Sequence, residues 1–142
     1  MNYDAIAEYI LKNYSGKVVE VGVGCNLRVA KILARKLDVV VTDFKYNKTI
    51  ESESVEYGID YIVDDITSPN LEIYKGSTLI YSIRPPIEIQ KNIVAVALLV
   101  KSDCIIRPLR GEEPELGKLV NYRKEFFYLV KSEKNLMFFN SC

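Results

Sequence analysis

Two glycines stand where a β-branched segment gives way to a helical pattern. Gly22 and Gly24 follow the predicted strand Val18–Val21 and precede a helical pattern that starts at Leu27. Glycines at such a junction let the backbone turn tightly and approach a ligand closely. Asp43 ends the next predicted strand, 21 residues after Gly22, where it suits an acceptor for ribose hydroxyls. The spacing predicts a nucleoside ligand; the alternative is a turn that only packs helix against strand, with Asp43 as a solvated cap.

The same turn discriminates between classes of nucleotide. A dinucleotide fingerprint requires Gly or Ala three residues after the second glycine, and Leu27 occupies that position, which disfavours NAD. Glu20, two residues before Gly22, would repel a pyrophosphate but attract the ammonium of an amino-acid moiety. S-adenosylmethionine carries that ammonium and no phosphate, so these residues favour it as the cofactor.

The chain contains no histidine. This excludes Ser-His-Asp and Cys-His catalysis, the common zinc sites and histidine general bases. Methyl transfer from a sulfonium needs little acid or base help once donor and acceptor are aligned, so it remains open. Tyr46, Tyr81 and Ser82 lie where an orienting hydroxyl would be useful, but ordinary packing is the favoured interpretation for each. We therefore assign no catalytic residue.

The run Glu20-Val-Gly22-Val-Gly24-Cys-Asn26 resembles the first motif of class I S-adenosylmethionine-dependent methyltransferases, acidic-x-Gly-x-Gly-x-Gly. Asn26 replaces the third glycine, and we expect it to preserve the turn because asparagine tolerates positive φ. The resemblance implies that Glu20 meets the methionine ammonium, usually through water.

The same resemblance implies cofactor-binding roles for two further carboxylates. It implies that Asp43 holds the ribose and that Asp65, which precedes Ile66, stands where the family holds the adenine amino group. The alternative for Asp65 is a solvated carboxylate in a loop. As a whole, the sequence is most similar to uncharacterised protein family 0146, small archaeal proteins with a methyltransferase-like Rossmann core. That resemblance implies a fold, not a reaction.

An arginine stands where some methyltransferases carry an acceptor. Ser82-Ile-Arg84-Pro-Pro86 occupies the place of the Asn-Pro-Pro-Tyr motif of amino-methyltransferases, but a guanidinium only donates hydrogen bonds. We therefore expect an anionic substrate. Arg107 and Arg110 follow the fifth predicted strand at the same edge and could form a phosphate or carboxylate fork with Arg84. In the alternative, each arginine pairs with a nearby acid such as Glu112, Glu113 or Glu115, or projects into water.

Short apolar strands alternate with helical patterns along the chain. This alternation predicts an α/β fold, a three-layer, doubly wound, mostly parallel sheet of Rossmann type with a C-terminal antiparallel hairpin. The predicted strands are 18–21, 39–41, 61–63, 78–82, 104–106, 125–130 and 136–139. The predicted helices are 3–14, 27–37, one short helix after 68–69, a deeply buried helix over 87–101, and one around 115–120, with at best a short helix within 45–58.

The composition is that of one globular domain spanning 1–142. Hydrophobic residues make up 49% of the chain, which excludes a disordered protein. Nineteen basic and nineteen acidic residues give no overall field that would attract nucleic acid or membrane. No basic leader precedes an apolar stretch, so we expect a cytoplasmic protein. Because the terminal hairpin is rich in phenylalanine, we expect a homodimer.

Two functions remain open from the sequence. The first is an S-adenosylmethionine-binding methyltransferase-like protein that transfers a methyl group directly to an anionic small molecule or RNA. The second is a non-catalytic Rossmann module that binds a nucleotide or RNA and acts with a partner.

Overall fold

The computed structural model of the chain describes residues 1–132 and contains one mixed sheet of seven strands. The strand order is β3-β2-β1-β4-β5-β7-β6, with β1 to β5 parallel and β7 antiparallel to both neighbours. The predicted doubly wound α/β fold is therefore confirmed. The strands are β1 (Lys17–Val21), β2 (Asp38–Asp43), β3 (Asp60–Val63), β4 (Ser77–Ile83), β5 (Asp103–Arg107), β6 (Lys118–Tyr122) and β7 (Glu125–Val130).

Within residues 1–132, four α-helices flank the sheet: α1 (Tyr3–Asn13), α2 (Arg28–Leu33), α3 (Lys48–Tyr57) and α4 (Gln90–Leu99). The opening helix is confirmed, and Asn2 caps its start because the Asn2 side chain accepts a hydrogen bond from the Ala5 amide. Helix α2 ends earlier than the predicted residue 37.

Helix α3 is longer than the sequence pattern indicated. Asn47 accepts hydrogen bonds from the amides of Thr49 and Ile50, and Gly58 ends the helix in the left-handed conformation at φ +69°. These two caps satisfy backbone groups at both ends. They explain how a largely polar segment forms ten residues of helix.

The hydrophobic core has two layers, one on each face of the sheet. Alternate strand residues such as Val18 and Leu79 pack with helices α1, α2 and α3. Their neighbours Val19 and Ile80 point to the opposite face and pack with α4 and the buried Tyr74. The period of two along each strand thus divides the apolar side chains between the layers.

The helix expected around 115–120 is wrong. Lys118–Tyr122 is strand β6, which pairs with β7 across a two-residue turn formed by Arg123 and Lys124. Gly117 precedes it at φ +117°, a backbone conformation outside the helical region. The antiparallel hairpin is therefore present but uses the segment before Glu125–Val130. The strand expected at 136–139 lies outside the described residues.

Two other helix predictions need correction. The segment after Ser68-Pro69 forms only a 3-10 turn at Leu71–Ile73, capped by Asn70. The helix expected over 87–101 begins with a 3-10 turn at Ile87–Ile89 and then forms α4. It is buried on one side only, because the Leu99 side chain is 69% exposed. Within the described residues, no helix has the length and apolar character needed to cross a membrane.

Candidate functional site

A cavity of about 370 Å³ opens between the carboxyl ends of β1 and β4. Strand order reverses here, since β1 continues towards β2 on one side while β4 continues towards β5 on the other. In open α/β sheets this crevice is the usual ligand site. The lining comprises Tyr3, Glu20, residues 22–26, Val29, Ile83, Arg84 and Leu109.

Glu20 is the buried acid of this cavity. Its side chain is only 3% exposed, and one carboxyl oxygen, Oε1, accepts a 2.8 Å hydrogen bond from the hydroxyl of Tyr81. Burial raises the pKa of Glu20 to about 8; the Tyr81 hydrogen bond opposes this rise and the nearby Asp43 charge adds to it. A buried carboxyl whose partner is a neutral hydroxyl favours a cationic ligand group.

The glycine turn is fixed to β2 by its backbone. The amides of Gly22 and Val23 both donate to the Thr42 carbonyl, at 2.9 and 3.1 Å. Gly22 and Gly24 have φ of +73° and +59°, which a residue with a Cβ adopts only at a cost. The turn therefore depends on glycine at both positions, as the sequence indicated.

Asp43 holds the turn and does not line the cavity. Its two carboxyl oxygens accept 2.8 Å hydrogen bonds from the amides of Gly24 and Phe44. Each carboxylate oxygen has a second lone pair, so Asp43 retains acceptor capacity for a hydroxyl at this strand end.

Asp65 also lies outside the cavity lining. It is exposed, and its Oδ1 accepts hydrogen bonds from the hydroxyl and amide of Thr67, at 2.7 and 2.9 Å. These bonds lower the pKa of Asp65. The carboxylate thus shapes the loop after β3.

Asn26 lines the cavity but does not adopt the positive φ expected for it. Instead, its Oδ1 accepts a 2.9 Å hydrogen bond from the amide of Arg28 at the start of α2. This is the local bond that asparagine commonly makes to a backbone amide two residues on. The turn therefore accommodates Asn26 through this side-chain hydrogen bond. The expectation that Asn26 preserves the turn by adopting a positive φ was wrong.

Arg84 reaches the cavity in an unusual backbone conformation. Its φ is +52° although it is not glycine, and its amide donates a 2.6 Å hydrogen bond to the Arg107 carbonyl. Its Nη2 donates to the hydroxyl of Tyr3 at 3.0 Å. The guanidinium is exposed and lies among the lining residues, so it can meet an anion that enters the cavity.

The other two arginines do not join Arg84 in a fork. The Arg107 guanidinium donates to Glu125 at 2.9 Å, and the two side chains are only 11% and 4% exposed. Arg107 and Arg110 both lie over the ring of Phe126, at 4.2 and 5.1 Å from its centroid. Arg107 therefore pairs with an acid, as the alternative held, although with Glu125 and not with the acids considered from the sequence.

Tyr3 and Leu109 are lining residues that the sequence did not indicate. Each approaches the cavity from an element distant in the chain, and neither carries a local motif. The Glu20–Tyr81 contact had a usable signal, because the two residues are paired in register on adjacent strands. Aligning the ends of the predicted strands β1 and β4 would have placed them side by side.

Residues 3–132 match the sequence pattern of an uncharacterised protein family, UPF0146. A UPF0146 protein of Archaeoglobus fulgidus is 47% identical over 129 residues, which cover 90% of this chain and 94% of that protein. A UPF0146 protein of Methanocaldococcus jannaschii is 38% identical over 139 residues, covering 94% of this chain and 99% of that protein.

Solved structures of similar fold are distant in sequence. A proposed S-adenosyl-L-methionine-dependent methyltransferase of Methanococcus maripaludis has a TM-score of 0.67 and 12% identity, covering 92% of this chain and 84% of that chain. A TehB-like methyltransferase of Corynebacterium glutamicum has a TM-score of 0.60 and 16% identity, covering 93% and 88%. The amino pentose methyltransferase CalS10 of Micromonospora echinaspora, bound to its cofactor, has a TM-score of 0.58 and 13% identity, covering 84% and 56%. These likenesses establish a class I methyltransferase-like Rossmann fold.

Proposed function

Since the chain belongs to the UPF0146 family and has a class I methyltransferase-like fold, we propose that it binds S-adenosylmethionine and transfers the methyl group directly to an anionic acceptor. The observation that carries this proposal is the buried carboxyl of Glu20 beside the glycine turn, in the crevice where strand order reverses. A buried acid suits an ammonium and opposes a pyrophosphate.

The cavity residues fit the proposed cofactor in size and charge. A volume of about 370 Å³ falls within the range of roughly 300–1,000 Å³ typical of small-molecule sites. Glu20 would receive the ammonium, Gly22 and Gly24 would keep the backbone close to the ligand, and Asn26 would fix the start of α2. When bound, the cofactor supplies an electrophilic methyl group on a sulfonium.

Asp43 and Asp65 have more peripheral proposed roles. Asp43 would offer its remaining lone pairs to the ribose hydroxyls while its existing hydrogen bonds hold the turn. Asp65 would contact the adenine amino group from the loop after β3. Because Asp65 does not line the cavity, its contribution should be smaller than that of Glu20.

The position of Arg84 supports the proposal that the methyl acceptor is anionic. Its guanidinium lies at the cavity beside Tyr3 and has no ion-pair partner within residues 1–132. A fixed cation would orient a carboxylate or phosphate of the acceptor. Alignment of the two reactants within about 3–3.5 Å then supplies most of the catalysis, and no general base is required of this chain.

Calorimetric titration of the full chain with S-adenosylmethionine, S-adenosylhomocysteine, NAD and ATP tests the proposal. We expect the first two to bind, with Gly22→Val abolishing and Asp65→Ala weakening the binding. Gly58→Val is the matched control, because Gly58 has nearly the same φ (+69° against +73°) and lies at the end of α3, outside the cavity lining.

Three results distinguish the outcomes. Binding of NAD or ATP in preference to S-adenosylmethionine would overturn the proposed cofactor. Equal loss of binding in the Gly22→Val and Gly58→Val variants would indicate general unfolding and remove the support for the site. Tight cofactor binding without methyl transfer to any acceptor in a cell extract would favour the non-catalytic module.

A further inference from the structure

Glu20 and Tyr81 form a buried polar pair across two adjacent strands. They are direct partners in the parallel register of β1 and β4, with exposures of 3% and 0%. The tyrosine hydroxyl lies 2.8 Å from Oε1 of the carboxyl group. Their partners on the outer neighbouring strands, Val41 for Glu20 and Ile105 for Tyr81, are buried and apolar, and strand pairing holds the geometry of the pair.

The charged and titratable groups around Glu20 come from every side of the cavity. Tyr81 projects from β4, Asp43 ends β2, Cys25 lies in the glycine turn, and Arg84 and Tyr3 stand at the cavity lining. Arg84 directs Nη2 to Tyr3. Within residues 1–132, Tyr81 is the hydrogen-bond partner of the Glu20 side chain, and no ion pair neutralises it.

We propose that Tyr81 is a positioning residue, whose hydroxyl fixes Oε1 of Glu20 and favours the ionised form of the carboxyl group, so that the second oxygen can receive the cofactor ammonium. This inference rests on the proposed function. It goes further by assigning the charge state of the ammonium site to a tyrosine that need not touch the ligand.

The physical reason is the cost of a buried charge. A hydrogen bond donated to a carboxylate stabilises the ionised form, whereas burial favours the neutral form. In the described part of the chain, the Tyr81 hydroxyl is the one donor that counters the effect of burial on the pKa of Glu20. Without it, Glu20 should stay protonated to higher pH and lose its attraction for an ammonium.

The test is the pH profile of S-adenosylmethionine binding in Tyr81→Phe. Because hydrogen bonds to charged groups are stronger than neutral ones, we expect about ten- to hundredfold weaker binding at pH 7. In wild type, affinity should rise with pH as Glu20 loses its proton. In Tyr81→Phe the same rise should occur at a pH higher by roughly one to two units.

Tyr74→Phe is the matched control. Tyr74 is also fully buried, and its hydroxyl donates to the carboxylate of Asp64 at 2.7 Å, on the other face of the sheet. This variant loses the same atom and should retain the wild-type profile. The ligand's own amine titrates identically against every variant, so a shift confined to Tyr81→Phe reports on Glu20. Equal shifts in both variants would overturn the inference.

A measurement without ligand separates this inference from the proposed function. Carbon NMR of the Glu20 carboxyl, assigned by its loss in Glu20→Gln, should show a higher titration midpoint in Tyr81→Phe than in wild type. An unchanged midpoint would refute the role of Tyr81 whether or not the cofactor binds. Failure of wild type to bind S-adenosylmethionine, with the midpoint still shifted, would refute the proposed function and leave the coupling of the pair intact.

Discussion

At the scale of single residues, Glu20 combines a functional position with a cost to folding. The side chain ends in a cavity, yet burial raises its pKa to about 8. Fold stability alone would be better served by an apolar or neutral side chain at this point in β1. Strongly shifted acids of this kind concentrate at functional sites, which supports the assignment of the cavity.

The stability of the protein should therefore fall with pH over the range in which Glu20 titrates. An unfolded glutamate has a pKa near 4.3, so the folded state binds a proton that the unfolded state lacks between that value and about 8. The stabilisation is complete below the unfolded pKa and is lost as the pH rises through the folded one. The free energy of unfolding of Glu20→Gln, relative to that of wild type, should therefore increase with pH over this range, by up to about 1.4 kcal/mol per pH unit.

Urea unfolding from pH 5 to pH 9 measures this difference. Glu56→Gln, at an exposed position, is the reference variant. It shows how the pH dependence of the free energy of unfolding changes when one surface carboxyl group is lost. A Glu20→Gln difference that matches the Glu56→Gln reference at every pH would contradict the assignment.

At the scale of elements, the β6–β7 hairpin shows how a tight turn dictates backbone conformation. Tyr122 pairs with Glu125, which leaves Arg123 and Lys124 as the two-residue loop, with φ of +49° and +66°. Hairpins of this kind prefer asparagine and glycine in the loop, because both central residues have positive φ. Arg123 also forms an ion pair with Glu8 of α1, which links the hairpin to the opening helix.

Replacing Lys124 by glycine should stabilise the protein. Glycine relieves the left-handed backbone strain, offset in part by its greater freedom in the unfolded chain, for a net gain of about 0.5–1 kcal/mol. Thermal unfolding measures the change. Lys124→Ala is the control, because it removes the same charge but keeps the Cβ; a gain of equal size in Lys124→Ala would assign the effect to charge instead of backbone conformation.

At the scale of the whole molecule, Glu125 joins three parts of the chain. Its carboxyl accepts hydrogen bonds from the Asn2 amide at 2.8 Å and from Arg107 at 2.9 Å. Burial by itself would raise the pKa of Glu125, but the backbone amides of Asn2 and Phe126 and the Arg107 charge together lower it. The N-terminus, β5 and β7 are thus held together beside the cavity.

Glu125→Ala should lower the free energy of unfolding by about 3–5 kcal/mol, because it leaves the largely buried Arg107 without its partner. Glu8→Ala is the contrasting case. It also breaks ion pairs, with Lys12 and Arg123, but these lie at the surface and are screened by water, so the loss should be much smaller than in Glu125→Ala. Chemical denaturation of both variants makes the comparison, and similar losses would show that burial of the Arg107 pair contributes little.

The sequence by itself determined strands β1 to β5 and β7, the glycine turn and the order of helices and strands around the site. These features follow from local signals: β-branched runs, apolar spacing on one helix face, and glycines where φ must be positive. Local signals failed where the chain is polar but well capped, as in α3, and where a glycine with a non-helical φ precedes a strand, as at Gly117.

Only the tertiary structure decided which side chains meet. The Tyr81–Glu20, Arg84–Tyr3 and Arg107–Glu125 contacts join residues 61, 81 and 18 positions apart. Strand order and register create the Tyr81–Glu20 contact. The Arg84–Tyr3 contact additionally requires helix α1 to pack close to the end of β4. The physical reason is that a side chain's charge and partners depend on burial, and burial arises only when elements distant in sequence pack together.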